Sequence, residues 1–372
     1  MLRLYVNPTW RQQGGVYTPL LYPFWGNPTE ESSLFAKEMF DAYPFDISLY
    51  TVTDDIKKAD MVFPPYRHNW LLKHNPALLA ECVRTAGEAN LPLLIDGVGD
   101  VEFSLEIENA FVLRIGGYHF VAENGRIQIP PASDDLLERC CGGQLQIRKK
   151  REGRPTVGFA GWAKLTPLQT LRTVVKELPI RLWGIFDSRY RAMKKGVLWR
   201  ARAIQVLACS PLVTLNLKVR RSFSGSAKTA EGDMHQLRQD FVNVVLNSDY
   251  CLDVRGDAND STRLFEILSL GRIPVIVDTE RNFPFSDAVN YRDFCVIVDF
   301  RDIKKLPEII AEFHKNISPE KYEEMQCLAR EAFVNYFRID AQMRHILRSM
   351  LPVAHAAATP RAGSPCSCRQ NL

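Results

Sequence analysis

Apolar runs and helical patterns alternate through residues 1–150: LRLYV, then EESSLFAKEMF, ADMVF, ALLAECVRTAGEA, LPLLID and AFVLRI. Strands alternating with helices predict a parallel sheet covered on both faces. Residues 148–155, RKKREGRP, are basic and carry Gly and Pro; they interrupt the pattern as a solvated connection between domains would. A second series follows, with TVGFAG, the helical LQTLRTVVKEL, RLWGIF in the place of a strand, VTLNL, QDFVNVVLN, DYCLDV, RLFEILSL, IPVIV and CVIVDF. It too predicts a doubly wound α/β domain. From Leu306 to Leu351 apolar residues recur near every third or fourth place, which predicts helices that close the second domain and reach back to the first. The expected organisation is one domain over 1–150, a second over 151–350 and a disordered tail over 351–372.

Composition narrows the class without naming a chemistry. With 46% hydrophobic and 24% charged residues the chain is globular rather than disordered or fibrous. A net charge of +4 from 47 basic and 43 acidic residues demands no partner of nucleic-acid scale, although a local anion site remains open. No run approaches the roughly 18 apolar residues of a membrane span, and MLRLYVNPTW reads as neither signal nor anchor. The nine cysteines follow no repeated zinc-ligand spacing and are expected to be reduced; Cys366 and Cys368 fall in the tail, where disorder is a simpler expectation than a metal or redox role.

The densest chemistry lies in residues 247–278, NSDYCLDVRGDANDSTRLFEILSLGRIPVIVD. The pattern predicts a strand over 250–254, a polar loop over 255–260, a helix over 262–270, a glycine stop at Gly271 and a strand over 273–277. Asp260 or Ser261 suits the N-cap, and Gly271 with Pro274 beyond it ends the helix. The loop thus delivers a helix N-terminus to the carboxyl end of a strand, where open α/β sheets bind ligands and free N–H groups favour phosphate. Arg255 and Arg263 add permanent cations able to grip a diphosphate. Glu266, one turn beyond Arg263, could accept a ribose hydroxyl pair or hold Arg263. The plainer alternative is a turn built by Asp257, Asn259 and Asp260, with Arg263 and Glu266 as a surface ion pair.

The string RGDANDSTRLFEILSLGRIPVIV, followed by NFPFSDAVNY, resembles the nucleotide-binding core of the exostosin family of glycosyltransferases. ADMVFPPY and VGFAG are further echoes toward the N-terminus. The resemblance implies two facing Rossmann-like domains of the GT-B type with C-terminal helices. It implies a donor nucleoside diphosphate sugar, UDP- or GDP-linked, bound by the second domain, and a saccharide or glycoconjugate acceptor toward the first. It further implies inverting transfer of a hexosyl or glycuronosyl unit in polysaccharide biosynthesis. Carried over, Arg255 and Arg263 contact the diphosphate, Gly256 belongs to the Arg-Gly loop, Ser261 faces it at the helix start, and Glu266 binds ribose. Asp257 stands where the family usually has a small or polar residue, so its carboxylate must point away, meet a sugar hydroxyl or mark altered activity. A cytoplasmic location is expected, or the Golgi lumen if the chain is a truncated form. A catalytically inactive exostosin-like nucleotide-binding or scaffold protein is the alternative.

An inverting transferase needs a base on the acceptor side. Asp96 and Asp100 follow the strand LPLLID in a Gly-rich turn and are the candidates, against plain turn chemistry; His119 is another. Arg220, with Arg221, could cover the donor phosphates or be a solvated basic pair. Tyr17, Tyr22, Phe24 and Trp25 could stack on sugar rings or fill a core. With no Asp-x-Asp pair, arginines and the helix end, rather than a metal cofactor, are expected to meet the diphosphate charge.

Overall fold

The computed structural model describes residues 1–12, 15–29, 34–99, 107–121, 125–222 and 231–358. Two parallel sheets organise the chain. The first contains β1 (Leu2–Tyr5), β2 (Tyr50–Thr53), β3 (Met61–Val62), β4 (Leu93–Asp96), β5 (Ala110–Arg114) and β6 (Arg126–Gln128), in the order β2-β1-β3-β4-β5-β6. The second contains β7 (Thr156–Trp162), β8 (Thr214–Arg220), β9 (Tyr250–Val254), β10 (Pro274–Asp278) and β11 (Val296–Asp299), in the order β11-β10-β9-β7-β8. Read from β8, the second sheet repeats the first: its opening strand lies inside, the next goes to one side and the rest to the other. Each sheet therefore has a switch point, beside β1 and β3 in one and beside β7 and β9 in the other. There the outgoing loops diverge and leave a crevice. The doubly wound, GT-B-type expectation holds.

The longer helices are α1 (Leu34–Ala42), α2 (Pro76–Glu88), α3 (Pro167–Lys176), α4 (Leu178–Phe186), α5 (Gly196–Ala208), α6 (Met234–Leu246), α7 (Thr262–Ser269), α8 (Leu306–Asn316), α9 (Pro319–Ala332) and α10 (Ile339–Ala358). Four begin at a capping side chain, among them α2, where Asn75 accepts from Leu78 N–H, and α6, where Asp233 accepts from Gln236 N–H. RLWGIF is no strand but part of α4; a short apolar run does not by itself distinguish the two, and Pro179 here occupies a helix first turn. The strand β9 is buried at every position, as a strand with helices on both faces must be.

The two halves share a core. Phe337 packs against Phe265 of α7 at 5.0 Å between ring centroids and against Tyr291 at 5.6 Å. Farther along, Met343, Ile346, Leu347 and Met350 of α10 join the cluster that contains Leu2, Leu4 and Tyr50 of the first sheet. The last helices thus reach back to the first sheet. Leu136, conversely, already packs with Phe241, Val242 and Ile267 of the second half. The basic stretch at 148–155 is tied down more than a solvated connection requires: Arg148 donates to Asp249 at 2.6 Å, and His314 Nε2 lies 2.8 Å from Arg151 O.

Phe337→Ala tests the shared core. Truncating this fully buried ring is expected to remove about 3–5 kcal/mol of stability, read by urea unfolding. A loss below about 1 kcal/mol would mean that Phe337 contributes little to the shared core.

Candidate functional site

A cavity of about 600 Å³ opens between the two sheets. Its walls come from residues just beyond strand carboxyl ends: Arg67 after β3, Ile115 after β5, Gly161 and Trp162 closing β7, Arg220 closing β8, and the loop from Gly256 to Arg263 after β9. These are the ends at which the switch-point rule puts ligands, and α1 and α6 cover the sides.

The loop after β9 is fixed from three directions. Arg255 turns back on it, donating to the carbonyls of Gly256, Asp257 and Ala192 and to the Tyr118 hydroxyl, with its guanidinium 5.3 Å from the Tyr118 ring centroid. Asn259 donates to Gly117 O at 2.8 Å and Thr279 O at 3.0 Å. Gly116 has φ +71°, and a Cβ there would stand 2.9 Å from Asn259 N, so only glycine permits that approach. Beneath the loop, fully buried Arg281 donates to Asp253 of β9 at 2.9 Å and lies 3.7 Å from Asp260.

At the end of the loop α7 opens into the cavity. Ser261 is the N-cap with extended backbone, and its side chain makes no capping bond. The first N–H groups of a helix have no internal acceptor and carry its positive end, so they remain available to an anion. Arg263 lies against β7, 4.5 Å from the Phe159 ring centroid, and reaches Ala160 O only at 3.3 and 3.4 Å. Its Nη1 is buried without a hydrogen-bond partner. Gly161 makes room for it, since a Cβ there would stand 2.4 Å from Arg263 Nη2. Arg200 of α5 donates to Val254 O and Trp162 O, each at 3.3 Å. Burial, with the charge of Arg263 adding to it, pulls the Arg200 guanidinium down to about 9; burial also lowers Arg263. Buried guanidiniums pressed by like charge, Arg200 by Arg263 and Arg263 by Arg220, mark a place where an anion would bring relief.

Several expectations need revision. Arg255 is not in the cavity wall; its donors are engaged by the loop and Tyr118, which makes it a positioning residue. Glu266 lines the cavity and holds Arg238; the alternative, an ion pair with Arg263 three residues away, is not what forms. Arg238 and Arg200 escaped the sequence reading because each sits within a helix remote from the loop; no local signal distinguished them from surface arginines. Gly256, Ser261 and Arg220 do line the cavity, and Arg220 donates to Leu237 O at 2.7 Å. Asp257 sits exposed at the rim.

Across the cleft, Asp96 ends β4, accepts from Val98 N–H at 3.0 Å and lies 3.7 Å from Arg67. Burial raises its carboxyl above the ordinary range against the opposing pull of Arg67. It stands behind Arg67, which faces the cavity. Asp100 lies outside the described residues. His119 is exposed and gives its backbone N–H to Glu280 O. Tyr17 is buried and packs edge-on to Trp25 at 5.1 Å, a core role, whereas Phe24, edge-on to Tyr50 at 5.4 Å, is exposed.

Residues 213–313 match the family model for the Exostosin GT47 domain, and they contain the loop, α7 and β10. An Exostosin-1 homolog of Caenorhabditis elegans is 29% identical over 112 residues, 30% of this chain and 28% of that protein. A probable glycosyltransferase of Arabidopsis thaliana is 35% identical over 85 residues, 23% of this chain and 16% of that protein. The chain therefore spans less than a third of the length of these curated relatives. Among solved structures, Anabaena HepE in complex with UDP aligns with a TM-score of 0.38 at 12% identity, covering 94% of this chain and 100% of that one.

Burial pushes the Asp260 carboxyl up to about 7, against the pull of Arg281 and the Ser261 N–H. A carboxyl raised on folding adds stability below its unfolded value of about 4, and loses that contribution as pH rises through the folded value. Wild type should therefore lose stability relative to Asp260→Asn between acid and neutral pH. Urea midpoints across that window check it; parallel curves would show that Asp260 is ionised throughout.

Proposed function

We propose that the protein is an inverting glycosyltransferase that moves a sugar from a UDP- or GDP-linked donor to a hydroxyl of a saccharide or glycoconjugate. The observation that carries this reading is Arg263, whose Nη1 is buried and unpartnered beside the open N-terminus of α7, within the exostosin segment. The donor diphosphate would lie across that helix end between Arg263 and Arg200, with Arg220 at its edge. Glu266, held by Arg238, would accept the ribose hydroxyls.

In the reaction a base takes the proton of the acceptor hydroxyl, and its oxygen bonds to the anomeric carbon from the face opposite the diphosphate. The bond from that carbon to the phosphate oxygen breaks, and the nucleoside diphosphate leaves carrying the charge. Fixed guanidiniums and helix N–H groups stabilise that charge without reorganising. Asp96 is the described candidate for the base, and burial raises its carboxyl, the direction that makes it a better proton acceptor. Transfer so arranged needs no divalent metal. Because Arg67 stands between Asp96 and the cavity, a nucleotide-binding protein without transfer is the second reading. Release of nucleoside diphosphate from a panel of nucleotide sugars, in excess chelator, separates the two.

Arg263→Ala is expected to weaken UDP or GDP binding by about 1.5–3 kcal/mol while leaving the melting temperature nearly unchanged. Arg255→Ala should lower both, because Arg255 builds the loop. Equal nucleotide affinity in wild type and Arg263→Ala would overturn the phosphate assignment.

Glu266 distinguishes a nucleotide site from an anion site. Glu266→Ala should weaken the nucleoside diphosphate and leave inorganic pyrophosphate, which has no ribose, bound as well or better. A parallel loss by calorimetry would mean that Glu266 acts only by holding Arg238.

A further inference from the structure

In a helix on a protein surface the apolar stripe normally faces the core. In α3 and α4 it faces outward. Leu168, Leu171, Val175, Leu178, Leu182 and Ile185 follow one another at three- and four-residue steps through both helices, each more than half exposed. Trp183 and Phe186 extend the patch at 61% and 86% exposure. None of the α3 residues is buried, and Gly184 alone is buried in α4. An apolar patch of this breadth marks a contact surface.

Its charge selects the partner. Residues 164–195 carry eight lysines and arginines, at 164, 172, 176, 181, 189, 191, 194 and 195, against two acids, Glu177 and Asp187. Both acids are engaged: Glu177 is buried and bonded to Arg181 at 3.1 Å, and Asp187 is bonded to Arg189 at 2.7 Å. Arg172 and Lys176 are exposed on the stripe's own helix. A second copy would bring two patches of the same positive excess together. An apolar face fringed by cations and carrying Trp183 beside Tyr190 suits instead the boundary between acyl chains and anionic headgroups.

We propose that α3 and α4 dock the protein on the surface of a bilayer containing anionic phospholipid, without crossing it. No helix among the described residues is long and apolar enough to cross a membrane. The two helices leave β7 beside Trp162 and return to α5 before Val197, and both residues line the cavity. Docking therefore fixes the cleft at a set height above the lipid. The inference is independent of the transferase reading, since it concerns vesicle binding alone.

Flotation of the full chain with phosphatidylcholine vesicles, with and without phosphatidylglycerol, tests it. Retention on the anionic vesicles should exceed that on neutral ones by about tenfold at low ionic strength and fall as salt is added. The double variant Trp183→Ser, Phe186→Ser should lose retention at an unchanged melting temperature. Should that variant not fold, Arg172→Glu with Lys176→Glu supplies the same test through charge. Brominated phosphatidylglycerol should quench tryptophan fluorescence in wild type and less in Trp183→Phe, which keeps the apolar bulk. Absence of binding to anionic vesicles, or undiminished binding by the variants, would overturn the proposal. So would a dimer in sedimentation that the serine variant converts to monomer, because the patch would then be covered by a second copy.

Discussion

One buried ion cluster sets the geometry on which the cleft depends. Asp253 lies next to the carboxyl end of β9, Asp260 at the end of the following loop and Arg281 beyond β10, all with side chains sealed from solvent. Removing one partner from such a cluster leaves an uncompensated buried charge, which is far worse than the pair is good. The cluster therefore acts as a constraint on position: β9, the loop and the chain leaving β10 must come together at this spot. Arg281 also pairs through its backbone with Tyr118, which ties the first sheet's loop to the same point. The direction in which α7 enters the cleft follows from it.

This constraint joins two halves that the topology alone would leave hinged. Each sheet offers a crevice at its own switch point, and a ligand site between them needs the crevices held in register. The structure achieves that at both ends of the interface. On one side Gly116 and Asn259 meet through backbone with no side chain between; on the other α10 and Phe337 bury apolar surface from both halves in one cluster. Domains that share a core behave as one body more than domains joined by a thin polar contact.

The strand, loop, helix and strand from 250 to 278 were legible almost to the residue, because the boundaries there carry local signals: the serine at the N-cap position, the glycine at positive φ and the proline opening β10. All five strands of the second sheet were legible as apolar runs, as were β1, β3, β4 and β5 of the first, whereas its edge strands β2 and β6 were not. What escaped depends on which side chains meet across the fold. Arg255 looks like a phosphate ligand in sequence, yet Tyr118, 137 residues away, takes its guanidinium. Glu266 has Arg263 as its neighbour along the helix, yet Arg238, 28 residues away, reaches it first. RLWGIF failed for another reason. A compact apolar run suggests a buried strand only if something covers it, and here the apolar face is exposed.

The charges around the cavity explain why it suits an anion although acids are nearly as numerous there as bases. Arg67, Arg200, Arg220, Arg238 and Arg263 face Asp134, Asp257, Asp260 and Glu266. Glu266 is held by Arg238, Asp134 by Arg139, and Asp260 turns below the loop toward Arg281. Asp257 remains at the exposed rim, where water screens it. Arg200 and Arg263 are left with only distant backbone carbonyls, which satisfy a guanidinium's geometry poorly and its charge not at all. Burial is the chief reason that both guanidiniums hold their protons less tightly than in water. With the helix end supplying further positive potential, the deepest part of the cleft holds more positive charge than the protein itself neutralises, in groups whose positions are already fixed by packing. A ligand carrying two adjacent negative charges would complete this arrangement without moving it.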